Sequence, residues 1–323
     1  MLTMVGSEFL VRVVKWVGYR EIDLESEPEP ESARPIRIRR GAFADDSPRR
    51  DILISPDHRV LVGGVLIPTR LLTNGMTIVP DLSCRRVEYF HIELEQHAVL
   101  SADGLPAESF LDEIGDRRFF SNAEGPVALR PRLPGILHQG VTRLACAPLA
   151  MSAAESELAW RQIADRARTL GFVPPNWDTT SDPDLHLCAD GRDLQPLLQD
   201  ETRYVFALPA GAKSLRLASR ATVPFDLDRA HEDWRSLGVG VTKIVYRIGA
   251  EQIEIPADHP SLIRGWHDAE TDGTTVWRWT NGDAHLPLPM PIGAGGATLE
   301  LHLSGRVTYA ITEQAAETTR RIA

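Results

Sequence analysis

Ser55 and His58 stand three residues apart in ILISPDHRVLVGGVLIP, at a corner between two β-branched runs. A hydroxyl at that spacing can hold one imidazole nitrogen and so fix which of the two carries the proton. An imidazole held in this way is equipped to protonate a leaving amine or to polarise a carbonyl. Two further histidines follow, His91 in VEYFHIELE and His97 in HAVLSADGLPAES. Both sit on strand-like segments, where a histidine satisfied by backbone groups is the plainer reading beside a chemical role. Cys84, Cys146 and Cys188 lie far apart, with no CxxC and no Cys/His spacing. They define neither a zinc site nor a disulfide framework, and they read as ordinary thiols.

The elements that must position these residues are short and β-rich. FLVRVVKWVGYREIDL is rich in Val, Tyr and Trp and suits a strand or a hairpin bent at Gly18. ESEPEPES, with its prolines and like charges, is a solvated loop. PIRIRR, ILI, RVLV and VLIPTRLL are strand candidates, and Gly63-Gly64 between the last two is a hairpin turn. VEYFHIELE and HAVLSADGLPAES give two more strands around a polar corner. From Ala150 to Leu170 the pattern becomes helical: Leu158, Ile163, Ala167 and Leu170 fall at helical spacing, Ser152 is an N-cap with Glu155 three residues on, and Gly171 ends the helix. PPNWDTTSDPD breaks it, and the remainder returns to strands separated by Gly, Pro and Asp turns, the pattern of a β-sandwich. The expected class is mainly β, divided as 1–147, a helix and linker over 148–174, a sandwich over 175–312 and a polar tail over 313–323.

Charge and composition narrow the partners. The chain has 323 residues, enough for two domains with their own cores, and 35 basic against 45 acidic residues give a formal charge of −10. That balance repels polyanions and argues against nucleic acid. No stretch approaches 18 apolar residues, so no membrane span is expected. The opening MLTMVGSEFLVRVVKWVG lacks the uninterrupted apolar run of a signal peptide. Neither GxSxG nor HExxH occurs, which leaves hydrolase motifs without a match, and no cofactor or metal is expected.

ILISPDHRVLVGGVLIPTRLL and the later VEYFHIELEQHAVLSADGLPAESFLD together resemble the bacterial hedgehog/intein, or Hint, domain. Ser55, Pro56, Asp57 and His58 fill its Thr/Ser-x-x-His motif, and Tyr89, His91, His97, Asp103 and Gly104 fill a second. The likeness extends over Val13 to Leu170 and implies a pseudo-symmetric all-β fold of short curved strands. It also implies a chemistry: an opening Cys or Ser attacks the preceding peptide carbonyl, and a second nucleophile takes the resulting ester, in cleavage or splicing. By carry-over, His58 acts on the scissile amide, Ser55 orients it, and His91 and His97 belong to the same site. No Cys precedes Cys84 and Ser7 is a poor substitute, so the expectation is a chain that lacks its opening nucleophile and does not process itself. Its implied partner is then its own missing N-terminal flanking segment. Export as part of a larger surface protein is likewise an implication of the likeness.

SLIRGWHDAETDGTTVWRWTNGDAHLPLP raises an alternative function. Trp266, Trp277 and Trp279 offer indole faces that stack on sugar rings, and Asp283 is a carboxylate for hydroxyl groups, so the second half reads alternatively as a carbohydrate-binding or cell-surface interaction domain. Trp277 and Trp279 alternate around Arg278 and share one face of a strand, which also fits a core position. Arg220 and Arg235 are candidates to pair with Glu270 or Asp283.

Overall fold

The computed structural model describes residues 2–5, 8–27, 29–112, 116–122 and 145–311. Ser7 and the expected tail over 313–323 lie outside the described residues. The protein is mainly β, built from antiparallel sheets, and its contacts divide it into two compact units, Met1–Pro175 and Asn176–Ala323.

In the first unit the largest sheet is six-stranded, in the order β2 (Glu8–Val11), β1 (Leu2–Val5), β10 (Val99–Ala102), β11 (Leu105–Glu108), β6 (Arg59–Val62) and β7 (Val65–Pro68). Two tight turns set its register. Gly63 and Gly64 join β6 to β7 with φ of +59° and +85°, a left-handed pair that only a turn tolerant of positive φ accepts. Asp103 and Gly104 join β10 to β11 in the same way, with φ of +53° and +89°. A side chain at position 104 would also meet the Asp46 carbonyl at 2.3 Å, so space as well as backbone angle requires glycine there. A three-stranded sheet orders β5 (Ile52–Ile54), β4 (Ile36–Ile38) and β8 (Ile78–Pro80).

Of the strand and the bent hairpin left open at Gly18 the strand forms, and the expected corner after β9 is corrected. Gly18 is no bend: β3 (Val14–Asp23) runs straight through it and pairs along its length with β9 (Arg86–Leu94), Gly18 opposite His91. Space explains the glycine, because a Cβ here would lie 2.2 Å from the Trp16 ring and 2.7 Å from that of Phe120. The polar corner is the β10–β11 turn itself, so β9 finds its partner in β3 rather than in the strand that follows it.

The helix forms over Ala153–Thr169. The Ser152 hydroxyl accepts from Glu155 N at 3.2 Å, and Glu155 reaches back to Met151 N at 2.5 Å. Gly171, at φ +90°, ends it. Its buried face is made of Ala153, Ser156, Ile163, Ala164 and Ala167, whereas Leu158 and Leu170 are exposed. Small residues let it lie close against the turn at Thr69–Leu72, where the Trp160 indole donates to Thr73 O at 2.8 Å. The helix is thus packed on the first unit, beside Met76 and Phe172, rather than serving as a free linker.

The second unit holds a seven-stranded and a four-stranded sheet. The larger runs β15 (Leu198–Gln199), β16 (Arg203–Leu208), β23 (Ala297–Arg306), β18 (Val239–Ile248), β21 (Val276–Thr280) and β20 (Trp266–Thr271), with β19 (Glu251–Pro256) also paired to β18. The smaller runs β14 (Arg192–Leu194), β13 (His186–Ala189), β17 (Leu215–Ala218) and β22 (Asp283–Leu286). Leu187, Leu217 and Leu286 from the smaller sheet share one core with Phe206, Val241, Tyr246 and Leu301 from the larger. Each such side chain contributes about 1.5–3 kcal/mol by leaving water. Arg235 pairs with Glu270 at 2.6 Å, as expected, while Arg220 lies 3.6 Å from Asp184 and Asp283 takes Arg216.

Candidate active site

His58 occupies the corner between β5 and β6, and main-chain bonds hold the corner closed. Its N–H donates to Ser55 O at 3.1 Å, while its carbonyl accepts from Thr69 N at 3.0 Å and from the Thr69 hydroxyl at 2.7 Å. Arg70 N donates to Pro56 O at 3.0 Å, and Arg70 also pairs with Asp57. The expected grip of the Ser55 hydroxyl on the ring is therefore corrected. Ser55 contributes its carbonyl to the turn, and the ring's Nε2 lies instead 3.1 Å from the main-chain oxygen of Glu108 on β11. A carbonyl there requires a hydrogen on Nε2, which leaves Nδ1 as the bare nitrogen of the neutral ring. Burial lowers the pKa of His58 below the ordinary imidazole value, against the pull of Glu108, so the neutral form is favoured.

His91, on β9 opposite Gly18, lays its ring against His58 with centroids 4.8 Å apart and planes 33° from parallel. Two phenylalanine rings flank it, with a tryptophan behind them. Phe110 and Phe120 meet it edge-on at 5.9 and 5.2 Å, and Trp16 packs on both phenylalanines at 5.5 and 5.1 Å. The bare backbone at Gly18 is what lets the Trp16 and Phe120 rings close over this strand. Arg117 lies over the Trp16 ring at 5.1 Å and pairs with Glu93, which also takes Lys15 at 2.9 Å. Burial opposes the Glu93 charge, but the two cations hold its carboxyl below the usual carboxylate range.

His97, between β9 and β10, has a side chain only 1 % exposed. Its Nδ1 accepts from the Cys146 main-chain N–H at 3.0 Å, and its Nε2 lies 3.4 Å from Glu108 Oε2. Burial works against a charge on this ring, yet contact with the Cys146 side chain and the Glu108 carboxylate outweighs it and raises the pKa to about 9. Glu108 is the hub. It is 8 % exposed, accepts from Arg59 N at 3.0 Å and pairs with Arg59 Nη1 at 3.2 Å. Burial disfavours its charge, but His97 and Arg59 hold it below the usual carboxylate range. One residue thus carries two histidines, His58 on its main-chain oxygen and His97 on its side chain.

The structure therefore brings His58, His91 and His97 together, with Ser55 as a backbone contributor to the corner. Tyr89 is a framework residue, buried and donating its hydroxyl to Ala33 O at 2.7 Å. Glu108, Arg59, Trp16, Phe110, Phe120 and Cys146 were not singled out from sequence. No local signal marks them: Arg59 directly follows Asp57 and His58, and Glu108 stands between Ala107 and Ser109. Among the described residues no group of three or more His, Cys, Asp and Glu is arranged to hold a metal ion. No helix among them is long and apolar enough to cross a membrane.

The residues considered for carbohydrate do not form one open face. Trp266 is corrected to a core residue, 3 % exposed, with its indole donating to His285 O at 2.8 Å, because β20 turns it into the core of the second unit. Trp277 and Trp279 are half-buried on β21. The Asp283 carboxylate accepts twice from Arg216 Nη1, at 2.7 Å each.

No curated protein and no solved structure gives a match to the chain. The family model described as the Hint domain matches residues 4–113. That stretch is a minority of the chain, and it contains Ser55, His58, His91, His97 and Glu108 while stopping short of Cys146. Its all-β character and the gathered histidines agree with that match, which supports a Hint-domain protein.

Proposed function

We propose that the first unit is an acyl-transfer centre of the self-processing kind that Hint domains carry, in which His58 activates an amide and His91 shapes the pocket around it. One observation carries this reading: the His58 ring is fixed through Nε2 on Glu108 O, kept neutral by burial, and set at a tilt against a second imidazole beside aromatic rings. A fixed, neutral Nδ1 can accept a hydrogen bond from an amide N–H and twist it out of resonance. Once protonated, the same nitrogen can give its proton to the leaving amine. Aromatic walls exclude water from the reacting carbonyl, which strengthens each of these contacts. Ser55 supports the ring through the turn.

The test uses acetyl-4-nitroanilide as the amide and hydroxylamine as the acyl acceptor, with release of 4-nitroaniline as the readout. The wild-type chain is expected to accelerate release, and His58→Ala to lower the rate by roughly 10²–10⁴, the range for a lost general acid or base. His186→Ala, in the second unit, serves as the control. A wild-type chain no faster than buffer, or a His58→Ala chain as fast as wild type, overturns the proposal.

Glycan binding by the second unit stands as a second reading. It is favoured by the partial exposure of Trp277 and Trp279 on one face of β21.

A further inference from the structure

We propose that the outer face of the β3–β9 ribbon is a docking surface for an extended segment of a partner protein, one that carries a basic side chain followed by aliphatic ones at every second residue. Alternate residues of the two paired strands divide between two faces. Gly18, Ile22, Val87 and Tyr89 are buried on one face, which also carries His91. The other face presents three rows in register: Val17 opposite Ile92, Tyr19 opposite Phe90, and Glu21 opposite Glu88. Val17 is 45 % exposed, Tyr19 39 % and Phe90 58 %. Large apolar side chains gathered on one open face mark a place where another surface is received.

The third row says what that surface carries. Carboxylates directly opposite each other on a strand pair repel, so Glu21 and Glu88 weaken the ribbon that holds them. Arg86 stands 3.8 Å from Glu21 and 3.4 Å from Asp23, and Glu88 makes no ion pair among the described residues. Glu21, Asp23 and Glu88 thus outnumber the cation set among them. A hollow of about 270 Å³ lined by Glu21, Arg86, Val87 and Glu88 opens at this end of the ribbon. It has room for the head group of a lysine or arginine, whose charge would offset the repulsion. The same carboxylates turn away nucleic acid and anionic lipid, which leaves a basic peptide as the matching chemistry.

The edges of the ribbon decide how the partner lies. Ser121 N donates to Tyr19 O and Asn122 Nδ2 to Val17 O, both at 2.8 Å, while on the far side Phe110 N donates to Ile92 O at 2.7 Å. Main-chain groups beside the apolar rows are therefore taken at both edges, and recognition falls to the side chains of the face. Successive rows lie about 7 Å apart, two residues of extended chain. An extended partner presents side chains at the same interval, whereas a helix repeats at about 5.4 Å and falls out of step. With a basic residue in the hollow, the second and fourth residues after it cover the Tyr19–Phe90 and Val17–Ile92 rows. His91 lies on the opposite face, so the partner leaves the candidate active site uncovered and its binding does not depend on the amide chemistry.

The experiment titrates the full chain with the synthetic peptide acetyl-RTLTLT-amide and follows ¹H–¹⁵N correlation spectra. Saturable shifts centred on β3 and β9 are expected, with a dissociation constant between about 10 μM and about 1 mM, the scale of a small transient interface. A peptide with glutamate in place of its arginine is expected to bind at least about tenfold more weakly, and wild-type peptide to lose at least about tenfold on Glu88→Lys and on Phe90→Asp. Both positions are exposed, so the variants keep the fold. His58→Ala should bind as wild type does, which separates a failure of the amide-activating pocket from a failure here. No saturable shift in the millimolar range, equal binding of the glutamate peptide, or undiminished binding by folded Phe90→Asp overturns the proposal. Self-association of the chain that Phe90→Asp abolishes gives the face to a second copy and overturns it as well.

Discussion

The proton affinity of His97, opposed by burial but raised by the Cys146 side chain and by Glu108, bears on stability against pH. In the unfolded chain the His97 imidazole titrates near 6.5, and in the folded chain near about 9. A proton held more tightly in the folded state stabilises it. That stabilisation is complete below about 6.5, shrinks as the pH rises and is gone above about 9. At 1.36 kcal/mol for each tenfold change in proton affinity, the full effect is about 3 kcal/mol. The ring is almost wholly withdrawn from water, so solvent screening removes little of it.

The perturbation is His97→Gln, which keeps a hydrogen-bonding side chain but does not titrate. Urea unfolding of both proteins, at intervals from about pH 6 to about pH 9.5, gives the difference in unfolding free energy. That difference should fall by about 3 kcal/mol across the range. His58, with its lowered pKa, has the opposite sign: its contribution is complete above 6.5 and is lost as the pH falls below that value. His58 takes its proton only below its lowered pKa, under nearly all of the pH range measured, so it adds little to the difference. A difference that stays flat, or a ¹⁵N-histidine titration that places His97 near 6.5 in the folded chain, would refute the reasoning.

Gly18→Ala puts a methyl group 2.2 Å from the Trp16 ring on an otherwise ordinary extended backbone. Unfolding measurements should show a loss of about 1–3 kcal/mol, and near-ultraviolet circular dichroism should show Trp16 displaced from Phe110 and Phe120. Trp277→Ala is expected to abolish retention of the chain on immobilised polysaccharide if the second unit binds glycan through its half-buried indoles. Wild-type protein that passes unretained through affinity electrophoresis in a range of polysaccharides refutes that reading.

How much of this was legible in the chain depends on the range of the interaction. The Gly63-Gly64 hairpin, the Ser152 cap and the Gly171 stop are set by neighbours within a few residues, and each formed as its chemistry requires. Gly18 left a strand and a bent hairpin both open, because a glycine there marks either a bend or a close approach. Only the rings of Trp16 and Phe120, the latter 102 positions away, decide between them. Leu158 and Leu170 fit helical spacing, yet the neighbouring turn is close enough to admit only Ala, Ser and Ile on the buried face. The three histidines were picked out by motif, but not what holds them. Glu108 sits in LPAESF as if it were a surface charge, and its burial follows from Arg59, 49 residues earlier, arriving on the adjacent strand.

Glu108 ends a short hairpin whose turn, Asp103-Gly104, is pinned from outside. Arg50 pairs with the Asp103 carboxylate, and Ser47 donates to Gly104 O at 2.8 Å. Any tilt of that hairpin displaces the oxygen under His58 and the carboxylate beside His97 in a single motion. The two rings consequently cannot be tuned separately. A ligand or neighbouring chain that leans on the loop around Ser47 and Arg50 would act as a lever on both at once.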